Sequence, residues 1–333
     1  MIKYEKVQKI KVKKTPLLVI AGPTASGKSA LALECAKKLG GELISGDSMQ
    51  IYKGMDVGTA KPTKEEQTEV KHHLVDLIDI HESYSSGDFK DAAKKAAKEI
   101  YSRGKLPILV GGSGLYVELV VNDFSLPEIS SSETLRAELY GIAKEKGNEY
   151  LHSMLRGIDP ESADAIHYNN VKRVVRAIEV YRGTGVTMSE WNRRSKLSES
   201  EFLPFCVYLD WAREKLYSRI NERVDAFVGD GLIEEARTLF ENGLETTPTA
   251  SQAIGYKELF PYLRGESSLN ECLDALKQST RNLAKRQVTY FTRMKFDKTI
   301  DPDGKNAEKL FSELCGDEKF LEFIRIFNNE PKA

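Results

Sequence analysis

Eight consecutive residues near the start of the chain, Gly22, Pro23, Thr24, Ala25, Ser26, Gly27, Lys28 and Ser29, have the types and spacing to grip a phosphate. They fit G-x-x-x-x-G-K-[ST] at every fixed position. Glycines at 22 and 27 let the backbone turn and approach an anion with no Cβ in the way. Successive N–H groups, and the positive end of a helix starting there, then face that anion. Lys28 supplies a point charge, and the Ser29 hydroxyl can hold Mg²⁺. The expected substrate carries a phosphate or pyrophosphate group.

Asp47, in GDSMQIY (46–52), is the second chemical candidate. One carboxylate beside a phosphate cradle suits removal of a proton from a nucleophile that attacks a phosphorylated electrophile. A helix cap or a metal ligand are the other roles open to it. An ATP-hydrolysing machine would also carry an acid closing an apolar strand to hold its metal. Here the apolar run 107–110 enters Gly111 and Gly112 instead, and Asp210 lies far along the chain. That weakens the hydrolase reading and keeps open a transferase using a different diphosphate. His72 and His73 have no partners at metal-ligand spacing and read as structural. Trp191 and Trp211 read as packing.

The elements that must position these groups follow from hydrophobic period. Apolar runs at 17–21, 42–45, 74–77, 107–110 and 205–210 read as strands. Between them, Leu31, Cys35 and Leu39 recur on one helical face, and 88–102 reads as an Ala/Lys-rich amphipathic helix. Alternation of this kind implies an α/β fold, a parallel sheet around the phosphate loop with helices on both faces. In such a sheet ligands sit at the carboxyl ends of the strands, so residues 22–29, Asp47 and the Gly-rich turn at 111–116 should converge. Polar stretches at 123–134 and 195–204 flank a block with helical periodicity only. The expected organisation is a basic tail at 1–14, a catalytic core from 15–122 and 202–333 ending in C-terminal helices, and a helical insert at 123–201. A long helix is expected near 269–295, with Leu283, Val288, Phe291 and Met294 as its apolar stripe.

Composition limits the alternatives. With 333 residues, 41% hydrophobic and 30% charged, the chain can build a large core. No apolar run is long enough to span a bilayer, and the basic N-terminus lacks the apolar stretch of a secretory signal. Four scattered cysteines form no metal or disulfide framework and suit the cytoplasm. The net charge is −1, yet basic residues concentrate at 172–194 and 281–298. Such stripes are either solvated helix faces or the footprint of a polyanion.

The motifs together resemble the bacterial tRNA dimethylallyltransferases, also called tRNA isopentenylpyrophosphate transferases. The resemblance rests on GPTASGKS (22–29), GDSMQIYKGMDVGTAKP (46–62), HHLVD (72–76), YSSGDF (84–89) and LVGGSGLY (109–116). It continues through DPESADAIH (159–167), KRVVRAIEVYRGTG (172–185), RINERVD (219–225), AIGYKEL (253–259) and TRNLAKRQVTYF (280–291). These stretches keep their order from residue 17 to about 296, nearly the whole chain.

The resemblance implies transfer of a dimethylallyl group from dimethylallyl diphosphate to N6 of the adenosine 3′ of the anticodon in tRNA, releasing pyrophosphate. By the same resemblance Asp47 is the base, Thr24 and Ser113 stand at the reacting centre, and Arg219 and Arg223 join residues 22–29 on the diphosphate, with Mg²⁺ on Ser29. Asp47, Ser48, Met49 and Gln50 face the target adenosine with Ser113. Arg136, Lys172, Arg173, Val174, Val175 and Arg176 meet the anticodon stem-loop, and Arg281, Lys285 and Arg286 hold backbone phosphates. The enzyme is expected to be a cytoplasmic monomer. Three positions depart from the family's habit: Ser113 for Thr, Asn170 for Asp and Tyr290 for Trp. The competing readings are an adenylate isopentenyltransferase, which should lack the helical insert and the basic C-terminal helix, a small-molecule kinase using the loop for ATP, and a non-catalytic RNA-binding protein.

Overall fold

The computed structural model describes residues 14–124, 126–127, 133–195 and 199–329. Most of the basic tail, parts of both polar stretches and the last four residues therefore lie outside the described residues. The chain divides into two compact units, Met1–Val121 with Glu201–Ala333, and Asn122–Ser200.

The first unit begins β1 (Thr15–Ala21), α1 (Lys28–Leu39), β2 (Gly41–Ser45), α2 (Lys64–Glu69), β3 (His72–His73), α3 (Ser86–Ser102), β4 (Leu106–Gly111) and α4 (Gly114–Val121). The second unit carries α5 (Glu133–Lys146), α6 (Asn148–Ile158), α7 (Pro160–Ala165), α8 (Val171–Thr184) and α9 (Met188–Ser195). The chain then returns as β5 (Phe202–Leu209), α10 (Arg213–Gly229), α11 (Leu232–Glu241), α12 (Phe260–Leu263), α13 (Leu269–Phe291), β6 (Lys298–Ile300), α14 (Ala307–Cys315) and α15 (Glu318–Asn329).

All six strands form one sheet in the order β3-β2-β4-β1-β5-β6, and every pairing is parallel. The fold is α/β. β1 lies inside the sheet with apolar residues on both faces. Leu18 and Ile20 pack with Leu31, Cys35 and the phenylalanines of α15, whereas Leu17, Val19 and Ala21 pack with α3, α4 and Phe291. That two-sided burial is why the run 17–21 has no polar alternation. α3 opens on a capping box between Ser85 and Asp88, which explains its start two residues before the expected one.

The expected strand at 74–77 is not there. Leu74 and Asp76 have positive φ (63° and 55°), which no ladder tolerates, and the paired residues are His72 and His73 just before. Asp76 is turned to meet the buried Lys61 ammonium at 2.6 Å, which also reaches Asp56 at 2.5 Å. The short strand β6 at the far edge was not expected. The long helix stops at Phe291, four residues short of the expected end. Among the described residues no helix is long and apolar enough to cross a membrane.

In the second unit, Leu139, Leu151, Leu155, Val174, Val175 and Ile178 form a core of their own. Asp159 caps α7 through the Ser162 N–H (3.1 Å) and accepts the Ser189 N–H (2.9 Å), tying α9 to α7. All four cysteines are free. Burial pushes the Cys206 thiol up to about 12 and Cys35 higher still, so both stay protonated.

On β2, Glu42 is buried against His73 (2.7 Å), Arg103 (2.7 Å) and Lys105 (2.9 Å). Burial would raise its carboxyl, but the His73, Lys105 and Arg103 partners outweigh it and hold the group at about 2. A depressed carboxyl stabilises the fold fully above its unfolded value and loses that contribution as pH falls through the folded one. Glu42→Gln should cost on the order of 2 kcal/mol at neutral pH, since the cations Arg103 and Lys105 are half exposed. Urea unfolding at a series of pH values should show the gap closing between about pH 4.5 and about pH 2. A gap independent of pH would mean that the charge is not what matters.

Candidate active site

The carboxyl ends of β1, β4 and β2 bring three Gly-rich turns together, and close backbone contact fixes them. The Gly46 N–H donates to Val110 O at 2.7 Å, and a Cβ on Gly111 would lie 2.7 Å from Gly46 O. A Cβ on Gly112 would strike Gln287 Nε2 at 2.6 Å and Gly22 O at 3.2 Å. These positions take glycine because neighbouring backbone and the Gln287 amide fill the space.

The loop at 22–29 runs from β1 into α1 with Ala25 and Gly27 both at positive φ (62° and 87°). Gly27 costs nothing there, whereas Ala25 stores about 1 kcal/mol of strain. The strain is held by packing: Ala25 is buried against Leu216, Ile220 and Ala284, and Trp211 Nε1 donates to Ser26 O at 2.9 Å. α1 starts at Lys28 with no side-chain cap on its first turn. Its opening N–H groups therefore lack intrahelical partners, as an anion cradle requires. The Thr24 N–H, by contrast, is taken by Gln287 Oε1 at 2.9 Å.

Cations from two distant helix turns close on this loop. Arg219 donates from Nε to Ala25 O (3.0 Å) and stacks over Trp211, while Arg223 donates to Thr24 Oγ1 (3.2 Å). Lys28 donates to Pro23 O at 3.2 Å. Burial, followed by the Arg223 charge, pulls the Lys28 ammonium down to about 8, against the opposing pull of Asp47. Burial and Arg219 likewise lower Arg223, again opposed by Asp47. Asp47 thus faces the cations of the loop, held by the Met49 N–H on its Oδ1 (2.9 Å).

Two cavities meet here. One, of about 480 Å³, is lined by residues 24–29, Arg219 and Arg223, with Lys61 and His72. The other, of about 490 Å³, has Ser48, Met49, Ser113 and Tyr290 on one wall and Ile220, Val224, Phe227 and Leu276 on another. They share Thr24, Asp47, Thr59, Arg223, Leu283 and Gln287. A phosphate end and a largely apolar body can therefore lie in adjoining spaces with one carboxylate at the junction. The Ser29 hydroxyl is exposed and lines the phosphate side. Among the described residues no three His, Cys, Asp or Glu side chains group to bind a metal unaided. One hydroxyl beside a phosphate cradle suits Mg²⁺, which takes most of its ligands from phosphate oxygens and water.

The expected site residues separate into groups. Residues 24–29, Asp47, Ser48, Met49, Ser113, Arg219 and Arg223 come together around these cavities, whereas Gly22 and Pro23 line neither. Gln50 is engaged internally: its amide donates to Thr59 O (3.2 Å) and Ala60 O (3.0 Å) and accepts from Ser45 Oγ (2.8 Å). It fastens the 59–60 turn and lines only the phosphate cavity. Val174 and Val175 are at most 2% exposed in their unit's core, which corrects the expectation that they meet RNA. Arg136 and Arg176 both pair with the buried Glu179, at 2.9 and 2.8 Å, leaving Lys172 and Arg173 exposed on α8. Arg281 bridges α13 to Asn221 of α10 (2.6 Å), so of the three expected cations Lys285 and Arg286 are the exposed ones. Leu283 lines the cavities instead of the core.

Sequence reasoning missed Gln287, the residue that ties α13 to the loop. Its signal was a lone amide within an apolar stripe. It also missed Glu235, whose carboxylate accepts the N–H groups of Asp56 (3.1 Å), Val57 (2.9 Å) and Gly58 (3.1 Å) and the Tyr256 hydroxyl (2.6 Å). Gly58 and Gly255, on the cavity wall, pack directly on each other, and Gly58 also packs on the Tyr256 ring.

The low Lys28 value has a testable sign. An anion in the loop raises it, so binding above pH 8 must take up a proton and weaken as pH rises. Calorimetry of inorganic pyrophosphate binding in two buffers of different ionisation heat should give on the order of half a proton more uptake at pH 8 than in Lys28→Met. Equal uptake in the two proteins would remove Lys28 from the anion site.

Comparison with known proteins bears on this geometry. Residues 50–294 match the family described as IPP transferase. The tRNA dimethylallyltransferase of Acetivibrio thermocellus is 45% identical over 311 residues, covering 93% of this chain and 96% of that protein. That of Geobacillus thermodenitrificans is 47% identical over 309 residues, covering 90% and 96%. Among solved structures, the tRNA isopentenylpyrophosphate transferase of Bacillus halodurans is similar at a TM-score of 0.66 and 43% identity, over 94% of this chain and 99% of that one. A eukaryotic dimethylallyltransferase acting on tRNA is similar at a TM-score of 0.75 and 28% identity, over 91% and 79%.

Proposed function

This chain belongs to the IPP transferase family, and from that premise we propose that it transfers a dimethylallyl group from dimethylallyl diphosphate to N6 of the adenosine 3′ of the anticodon in tRNA. The observation that carries the proposal is the pair of adjoining cavities, one cationic and one largely apolar, with Asp47 where they meet.

The residues divide the work as follows. The diphosphate lies on the loop at 22–29 with Lys28, Arg219 and Arg223, and the five-carbon chain lies against the apolar wall. The adenosine N6 attacks C1 of the chain, forming the N–C bond as the C1–O bond to pyrophosphate breaks. An exocyclic amine conjugated with its ring is a weak nucleophile, so losing its proton to Asp47 as attack proceeds lowers the barrier. The departing pyrophosphate carries the bond's electron pair, and the preorganised cations stabilise that charge. Mg²⁺ on Ser29 would add further neutralisation of the same oxygens. Thr24 and Ser113 place hydroxyls on the cavity wall around the reacting atoms.

For the RNA, Lys285, Arg286 and Arg293 line one groove along α13, continuous with the cavity through Arg286 and Tyr290. Lys172 and Arg173 sit in the first turn of α8, where the helix dipole disfavours cations unless an anion faces them. Both support a phosphate backbone as partner. The free, mostly buried cysteines suit the cytoplasm.

The direct test is mass spectrometry of anticodon stem-loop RNA after incubation with the protein, dimethylallyl diphosphate and Mg²⁺, with AMP and ATP assays alongside. Gain of one C5H8 unit on the loop adenosine is expected. Modification of AMP alone, or phosphoryl transfer from ATP, would replace the proposal. Asp47→Ala should lower turnover by about 10²-fold or more while pyrophosphate still binds. Near-normal turnover would remove Asp47 as the base. Lys285→Ala with Arg286→Ala should weaken RNA binding and reduce the slope of log K against log salt by about 1.5. An unchanged slope would place the RNA backbone elsewhere.

A further inference from the structure

Leu115 is 46% exposed in the first turn of α4, yet it lines the larger cavity. The other strongly exposed leucines, Leu77 and Leu321, line neither cavity. An isolated surface leucine needs no explanation, but one on the rim of a substrate cavity remains hydrated until something apolar covers it.

Its neighbour on the rim is an aromatic ring fixed at two points. Tyr290 lies so close over Gly114 that a Cβ there would be 2.2 Å from the ring, and its hydroxyl donates to Glu118 one turn further along α4. Gly114 is thus the seat of the ring, and Glu118 stops it from swinging away. Tyr290 lines both the cavity and the basic groove of Lys285, Arg286 and Arg293. The groove and the cavity thus share a cation, Arg286, and the Tyr290 ring, and the exposed Leu115 side chain lines the cavity next to the glycine on which that ring sits. That is the pattern of a surface receiving a splayed single strand: phosphates on cations, bases on flat or apolar side chains.

We propose that Leu115 and Tyr290 form the surface on which the bases flanking the target stack once that base has left the loop for the cavity. The proposal rests on the RNA-modifying reading above. Taking a base out of its stack costs a few kcal/mol, and apolar or aromatic side chains filling the gap recover part of that cost. Both residues act as positioning groups, favouring the extruded state without touching the reacting atoms.

The test uses anticodon stem-loop RNA carrying 2-aminopurine at the target position. This base lacks the 6-amino group, so extrusion is read as a fluorescence rise with no turnover. The unmodified protein should give a clear rise. Leu115→Ala should cut the rise at saturating RNA by at least half and lower kcat/KM for natural RNA about tenfold. Pyrophosphate binding should stay within twofold, and Leu115→Met should restore both RNA readouts. Tyr290→Phe keeps the ring and should behave better than Tyr290→Ser. A full rise with Leu115→Ala overturns the proposal alone. Absence of any rise with the unmodified protein overturns the RNA-modifying reading with it.

Discussion

The site depends on keeping several positive charges close together inside a folded protein. Lys28 and Arg223 repel each other where burial removes the water that would screen them, and Arg219, at the exposed side, adds its charge to that on Arg223. What opposes this is specific. Asp47 faces them, the Ala25 carbonyl and Thr24 hydroxyl each accept from one guanidinium, and the Trp211 ring lies under Arg219. The arrangement gathers positive charge where a departing anion needs it, at a cost already met in folding. The cost also explains the architecture. The loop comes from β1, but its guanidiniums come from α10 and its clamp, Gln287, from α13, so the cradle is complete only once distant segments have docked.

The second cavity has a corresponding fastener of opposite sign. Glu235 occupies a run of three backbone N–H groups at 56–58, a nest that would otherwise attract an anion. By filling it with a carboxylate from α11 the protein fixes the wall at Gly58 and Thr59, and the Tyr256 hydroxyl extends the hold to 253–257. This gives a physical reason for two of the motif stretches beyond the phosphate loop. GDSMQIYKGMDVGTAKP and AIGYKEL face each other across glycines too closely packed to carry a Cβ.

Much of this was legible in the sequence wherever the signal was local. Residues 22–29 announce a strand, a tight turn and a helix because backbone geometry demands glycine there, and the apolar runs of β1, β2, β4 and β5 announce burial on both faces. Failures came where tertiary contacts override local pattern. The apolar residues at 74–77 look extended, but Asp76 is drawn into a left-handed turn by the buried Lys61. Arg136 and Arg176 read as free positive charge because nothing local says that Glu179 is buried between them. Gln287 and Glu235 carry no motif chemistry, and their importance lies in which backbone groups they meet.

The sheet order also constrains how the chain reaches its folded state. β1 is made before both of its partners, β4 on one side and β5 on the other. β5 follows the whole of Asn122–Ser200. On the ribosome, one edge of β1 must wait, apolar and unpaired, while that unit is synthesised with a core of its own. Pairings of such long sequence separation form slowly and leave an open strand edge that other chains can join. Yield on expression is therefore expected to be governed by how quickly β5 arrives, and slow translation through 122–200 is the interval of greatest aggregation risk.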